Sequence, residues 1–210
     1  MVRFTEDNKI HIKILYWGMA GSGKTTIVDT LYRSTKENEI GIEPTGNLTK
    51  IAMASGSTLY FDRAGFQSTK QESRGKVFYQ VYTVAGQRRF SPLRTKIFKG
   101  TDGVIFTVDS QTHLFEDNIE SLKELKHVAR GKLIKEIPLV VMLNKQDLKE
   151  VIGEQDFKPI LKEENLWHEP GHELYGRNPL IYSTCALYGQ RKNVYRSFFE
   201  CARRIEINPK

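Results

Sequence analysis

Little in this chain points to a membrane or to secretion. No run of about eighteen apolar residues, the length a spanning helix needs, occurs in its 210 residues. The opening MVRFTEDNK lacks the apolar core of a signal peptide. Val2 stands where N-myristoylation needs glycine, and the closing EINPK is no prenylation box. A cytoplasmic protein with no integral membrane segment and no lipid anchor is the expectation. Cysteine is scarce: Cys185 and Cys201 are the two in the chain, and their separation fits neither a metal site nor a redox pair. Buried free thiols are expected. Repeats, low-complexity linkers and RNA-reading motifs are missing, so a repeat array and a nucleic-acid partner are not expected.

Charge of both signs is plentiful. Lysine and arginine outnumber the acids by 32 to 25, a net charge of +7. The two signs interleave, as in LKELKHVARGKLIKE, which reads as a solvated surface. Some of the excess remains open to an anionic ligand or a membrane face.

Apolar residues alternate at Ile10, Ile12 and Ile14 and then run on into LYW, a strand that becomes buried. Ile27 and Leu31, four apart, suit a helix after the glycine-rich turn. TLYFDR and KVFYQVYTV read as two strands joined by the polar turn FQSTKQESRG. GVIFTVD, PLVVMLN and PLIYST complete a set of strands. Phe115, Ile119, Leu122, Leu125 and Ala129 mark one helix face; Val194, Phe198, Ala202 and Ile205 mark another. Short continuous apolar strands alternating with amphipathic helices predict an α/β fold, one domain over residues 1–210, with a mostly parallel sheet covered on both faces. Ligands of such sheets sit beyond the carboxyl ends of the strands.

The chemistry-bearing motifs fall at those ends. GMAGSGKT, Gly18 to Thr25, matches G-x-x-x-x-G-K-[ST] in full and lies between a strand and a helix. Its loop residues Gly18, Ala20, Gly21, Ser22 and Gly23 can turn backbone N–H groups onto phosphate oxygens. The helix start at Lys24, Thr25 and Thr26 adds the positive end of its dipole. Lys24 supplies charge to the outer phosphates, and Thr25 offers a hydroxyl to Mg²⁺. NKQD, Asn144 to Asp147, follows the buried strand PLVVML. The carboxylate of Asp147 can accept two hydrogen bonds from guanine, a donor pair adenine does not offer. Lys145 can lay its stem along the base, and Asn144 can tie the two loops together. In STCAL, residues 183–187, the small residues around Cys185 and Ala186 let a backbone N–H approach the base; a plain small-residue turn is the alternative.

The stretch YTVAGQRR at 82–89 has one conspicuous absence. Two places before Ala85-Gly86-Gln87 a nucleotide switch calls for an acid, and this chain has Thr83. Gly86 can offer its N–H to a terminal phosphate, and Gln87 can orient an attacking water. Thr83 brings a hydroxyl but no charge, about half the strength of a charge-assisted bond. Asp62, in LYFDRA on the neighbouring strand, is the nearest carboxylate that could help hold Mg²⁺; a solvated strand residue is the alternative. Thr45 in IEPTGN is the metal-sensing threonine expected, with Thr58 as a rival. Arg63, Arg88 and Arg89 are open either as a catalytic cation or as surface residues. HEPGH, 168–172, satisfies the zinc-protease pattern H-E-x-x-H, but Pro170-Gly171 disfavours the helix that pattern requires.

With GMAGSGKT, NKQD and TCAL in this order, the chain resembles Ras-like small GTPases over nearly all of its length. PTG at 44–46 and TCA at 184–186 are similar to the ADP-ribosylation-factor branch. TLYFD, TVAGQ, KGTDGVIFTVDSQ and NIESLKEL are similar to the bacterial gliding-motility and cell-polarity GTPases of the Mgl A type and their archaeal relatives. That resemblance implies a three-layer P-loop NTPase (G domain) with a mostly parallel six-stranded sheet, and a monomer that cycles between GTP and GDP with Mg²⁺. It implies slow hydrolysis stimulated by a roadblock-type partner, and a second strand that shifts register between states. The branch tolerates threonine at the position of Thr83. Its finger arginine falls just before TLYFD, where this chain has Ser57, so Arg63 or a partner's arginine would have to substitute. On this reading Lys24, Gln87 and Arg63 are catalytic, and Thr25, Thr45, Thr83 and Asp62 face the metal. The nucleotide contacts are the P-loop, Thr45, Gly86, Asn144, Lys145, Asp147, Cys185 and Ala186. Residues 40–65 and 83–95 would switch. A nucleotide-loaded scaffold that barely hydrolyses is the alternative; an ATP-using kinase is opposed by NKQD.

Overall fold

The computed structural model describes residues 3–4, 9–37, 40–52, 58–69, 76–87 and 90–207. The alternating stretch at the start is β2 (Lys9–Trp17), preceded by the two-residue β1 (Arg3–Phe4). β2 alternates half-buried and buried residues up to Ile14 and is buried throughout from there to Trp17. The change comes where β7 (Gly103–Asp109) joins its free edge, Ile14 opposite Gly103, while β6 (Lys76–Thr83) lines the other. A strand flanked on both sides and covered on both faces has no polar side left, which is why LYW is continuous.

Parallel pairing continues from β7 to β8 (Leu139–Asn144) and from β8 to β9 (Leu180–Ser183). Beyond β6 the sheet turns antiparallel: β5 (Thr58–Ser68) pairs with β6 on one side and with β3 (Ile42–Pro44) and β4 (Thr49–Ala52) on the other. The path is β3-β5-β6-β2-β7-β8-β9, with β1 on β2 and β4 on β5, nine strands among the described residues. Six strands were expected, and the six expected stretches are β2, β5, β6, β7, β8 and β9. The other three are two to four residues long, too short for an alternating pattern, and exist because longer strands offer them an edge.

Helices cover both faces. Ile12, Ile14 and Tyr16 of β2 pack with α1 (Lys24–Glu37) and α5 (Val194–Ile207), through Ile27, Leu31, Phe198 and Ala202. Leu15 and Trp17 point the other way, to the core shared with α2 (Ser91–Phe98), α3 (Phe115–Ala129) and α4 (Glu154–Glu163). This is the three-layer α/β arrangement the sequence predicts. α4 was not legible, because Pro159 sits inside it. Burial of Phe157, stacked on Phe106 at 6.1 Å, and of Leu161 outweighs the missing backbone bond; truncating such a phenylalanine costs about 3–5 kcal/mol. Cys185 and Cys201 are free and buried. The HEPGH segment is not helical, and His168 and His172 stack face to face at 3.9 Å.

Five parallel strands end on one side of the sheet, at Trp17, Thr83, Asp109, Asn144 and Ser183. The loops that leave these ends make the site.

Candidate nucleotide site

The phosphate loop leaves β2 at Gly18 and enters α1 at Lys24. Gly23 takes φ +93°, and a Cβ there would lie 2.3 Å from Nδ2 of Asn144. A side chain at 23 would therefore push away the amide whose Nδ2 donates to Ser22 O at 2.8 Å. That bond joins the lysine-bearing loop to the start of NKQD. Lys24 is 6% exposed, and its Nζ donates to Gly18 O at 2.9 Å and to Met19 O at 2.7 Å. Burial, then the nearby Arg94, lower its pKa to about 7, against the opposing pull of Asp62. A buried ammonium satisfied by carbonyls and crowded by a second cation is an anion receptor by charge and by geometry.

The missing acid at position 83 is replaced across the sheet. Arg63 of β5 sits opposite Tyr82 of β6, so Asp62 comes beside Thr83. The Asp62 N–H donates to Thr83 Oγ1 at 2.9 Å, and the Thr83 hydroxyl donates to Asp62 Oδ2 at 2.9 Å. The Thr25 hydroxyl donates to the same Oδ2 at 2.5 Å. Asp62 and Thr83 are each 1% exposed. Asp62 is therefore not the solvated strand residue that was its alternative. One carboxylate and two hydroxyls form an all-oxygen donor set of the kind a hard cation takes beside phosphate, so these residues fit Mg²⁺.

Other residues named from the sequence are placed elsewhere. Thr45 is exposed; its N–H donates to Gly65 O at 2.9 Å, and the adjoining Gly46 O accepts from the Tyr32 hydroxyl. The turn is thus stitched to β5 and α1, apart from the Thr25–Asp62–Thr83 cluster. Arg63 follows Asp62 in a strand, so it points to the opposite face; it is exposed, with its guanidinium 5.8 Å from the Tyr82 ring centre. Ser57, Arg88 and Arg89 lie outside the described residues, as does the side chain of Thr58. Gly86 lies against the phosphate loop, where a Cβ would come 2.2 Å from Ala20 N and 2.3 Å from Met19 C. Gln87 is half-buried beside it, on a cleft of about 460 Å³ that also reaches Ala20, Arg94 and Glu124.

The opposite end is knit by neutral bonds and one ion pair. Lys145 takes a left-handed conformation, φ +68°, uncommon for a lysine and typical of a residue whose surroundings fix it. Its Nζ pairs with Asp109 Oδ2 at 2.6 Å. Asp109, 1% exposed at the end of β7, was not singled out from the sequence; its place after GVIFTV was the available signal. Thr184 N donates to Leu143 O, Gln146 N to Thr184 O, and the Thr30 hydroxyl of α1 to Ala186 O at 2.6 Å. Asp147 is exposed and hydrogen-bonded to Cys185; burial pushes that thiol up, a backbone bond at Leu187 opposes, and Asp147 adds to the rise. Thr26, Ala20 and Gly21 are exposed at the rim. Asn144 keeps a buried Oδ1 with no partner among the described residues.

A receptor for phosphate, a hard-cation donor set and an exposed carboxylate thus line one edge of the sheet, joined through Asn144 and Ser22. Comparison with known proteins points the same way. The family model described as ADP-ribosylation factor family matches residues 1–198. The mutual gliding-motility protein MglA of Myxococcus xanthus (strain DK1622) is 34% identical over 161 residues, 75% of this chain and 79% of that protein. The chain belongs to the ADP-ribosylation factor family of small GTPases, switch proteins that bind GTP and hydrolyse it.

Proposed function

We propose that the switch is read through Asp62. The observation that carries this is the single Oδ2 that accepts from both Thr25 and Thr83. Mg²⁺ bound there would neutralise charge on the β- and γ-phosphates. Thr25 and Asp62 would hold it, with Thr83 orienting Asp62. Lys24 binds the outer phosphates, the Gly86 N–H senses the terminal one, and Gln87 orients the water that attacks in line. Asp147 accepts from guanine, Lys145 covers the base plane, Asn144 links the loops, and Cys185 and Ala186 close the pocket. Residues 1–210 work as one G domain in the cytoplasm.

Arg63 and Thr45 take no part in the arrangement described. The family resemblance implies a register shift of the second strand, and Arg63 on that strand or a partner's arginine would supply the catalytic cation that Ser57 does not. The relative named for gliding motility supports a role in cell polarity or movement, with a roadblock-type partner stimulating the shift.

The test is metal dependence. Asp62→Asn should raise the Mg²⁺ concentration for half-maximal GTP hydrolysis by at least about 10–100-fold, the range found when even the outer partners of metal ligands are altered. GDP binding measured in excess chelator should stay at the wild-type value. An unchanged Mg²⁺ requirement would remove Asp62 from the metal site.

A further inference from the structure

Arg94 belongs to no motif, yet it is 3% exposed and all three of its guanidinium nitrogens donate hydrogen bonds. Nη1 donates to Ala85 O at 2.8 Å and to Gln87 O at 2.7 Å. Nε donates to Glu124 Oε1 of α3 at 3.0 Å, and Nη2 donates to the same oxygen at 2.5 Å. The Ser91 hydroxyl also donates to Oε1, at 2.7 Å, so α2 is tied to α3 twice. The guanidinium carbon lies 5.7 Å from the Trp17 ring centre. Both carbonyls held by Nη1 flank Gly86, the residue pressed on the Met19–Ala20 peptide. Ala85 O belongs to the peptide that carries the Gly86 N–H, and Gln87 O lies just beyond the next peptide, so the two bonds brace the backbone on both sides of the Gly86–Gln87 unit, where a glycine would otherwise turn freely.

A buried arginine–glutamate pair that merely fastened two helices would have no need of those carbonyls. We propose that Arg94 is a positioning residue for GTP hydrolysis, holding the Ala85–Gln87 backbone against the phosphate loop from an anchor on Glu124. It touches no substrate atom. The inference rests on the reading that Gly86 and Gln87 face the terminal phosphate. A lysine in its place keeps the charge but loses the planar fork that reaches two carbonyls and a carboxylate together.

The experiment is a double-mutant cycle on the full chain, with Arg94→Lys and Gln87→Ala, alone and combined. It is read by single-turnover GTP hydrolysis and by GDP affinity. Arg94→Lys should slow hydrolysis by about 10–100-fold, as misplacement of catalytic groups does, while GDP affinity changes by less than about threefold. In the Gln87→Ala background the same change should cost less than about threefold, because the group it positions is gone. Glu124→Gln should repeat the pattern more weakly, and carries the test if Arg94→Lys does not fold. Additive losses, or equal losses of hydrolysis and GDP affinity, would make Arg94 a packing residue and overturn the proposal. Wild-type hydrolysis by Gln87→Ala alone would instead sink the underlying reading, whatever Arg94 does.

Discussion

The loops around the base end and the loops around Gly86 differ in what holds them. Between 144–147, 184–186 and the phosphate loop the bonds are mostly neutral: Asn144 to Ser22, Thr184 to Leu143, Thr30 to Ala186. The 144–147 loop hangs on β8, a parallel strand buried over its whole length, and the 184–186 loop on its parallel neighbour β9. Around Gly86 the ties are charged side chains reaching across elements: Asp62 to Thr25 and Thr83, Arg94 to Glu124 and two carbonyls. Asp62 lies on β5, at the antiparallel end of the sheet, and Arg94 on α2, which is tied to α3. A neutral ladder inside a core has one good arrangement. A charged tie can be exchanged for another, such as a phosphate or a metal, at comparable energy. The fixed half is suited to gripping a nucleotide and the charged half to reporting which one is bound.

The largest effect that would break this contrast is at the base end. Asp147→Asn inverts the hydrogen-bond pattern offered to guanine. It should weaken GDP by about 10²–10⁴-fold and improve binding of xanthosine diphosphate, measured by competition with a fluorescent nucleotide. Unchanged base preference would move the base pocket elsewhere.

Two glycines sharpen the contrast. Gly23→Ala meets Asn144 Nδ2 and a φ of +93°. That strain, about 1–3 kcal/mol or roughly 5–150-fold in affinity, should appear in GDP binding itself. Gly86→Ala meets the Met19–Ala20 backbone instead. Relieving that clash moves the Gly86 loop or the phosphate loop, so hydrolysis should fall by at least about tenfold and by more than GDP binding does. Equal losses in both assays for both variants would erase the division into a gripping half and a reporting half.

The smallest effect lies outside both halves. Burial, the neighbouring His172 and Lys135 lower the His168 pKa below its ordinary 6.5, with Glu173 opposing. The folded form therefore binds this proton less readily than the unfolded chain. The stability it contributes is intact above about pH 6.5 and is lost as pH falls through the folded value. Thermal melting should drop modestly between pH 7.5 and pH 5.5, and less in His168→Gln, with GDP affinity unaffected. An identical pH profile in the variant would exclude His168.

How much could be read beforehand varied with the kind of tie. GMAGSGKT and NKQD are contiguous, and each announces its own backbone shape; the structure joins them where Asn144 meets Ser22. Asp62 was one of two readings until the β5–β6 register brought it beside Thr83. Thr45 carried the right neighbours in PTG, but its N–H is spent on Gly65 O. Arg63 sits one residue from a productive place, and in a strand one residue is the opposite face. Arg94 gave no signal, since an arginine on a short helix is ordinary until its partners at 85, 87 and 124 are known.

By itself the sequence determined the order of six of the strands and of α1, α3 and α5, the phosphate loop and the preference for guanine, because periodicity, glycine placement and short motifs act within a few residues along the chain. The tertiary structure alone decided which carboxylate sits beside Thr83, which face Arg63 takes and that Arg94 bonds the carbonyls of Ala85 and Gln87. Those outcomes depend on the register between strands and the packing between helices. Both are set by contacts tens of residues apart, where a single slip or rotation exchanges one side chain for its neighbour.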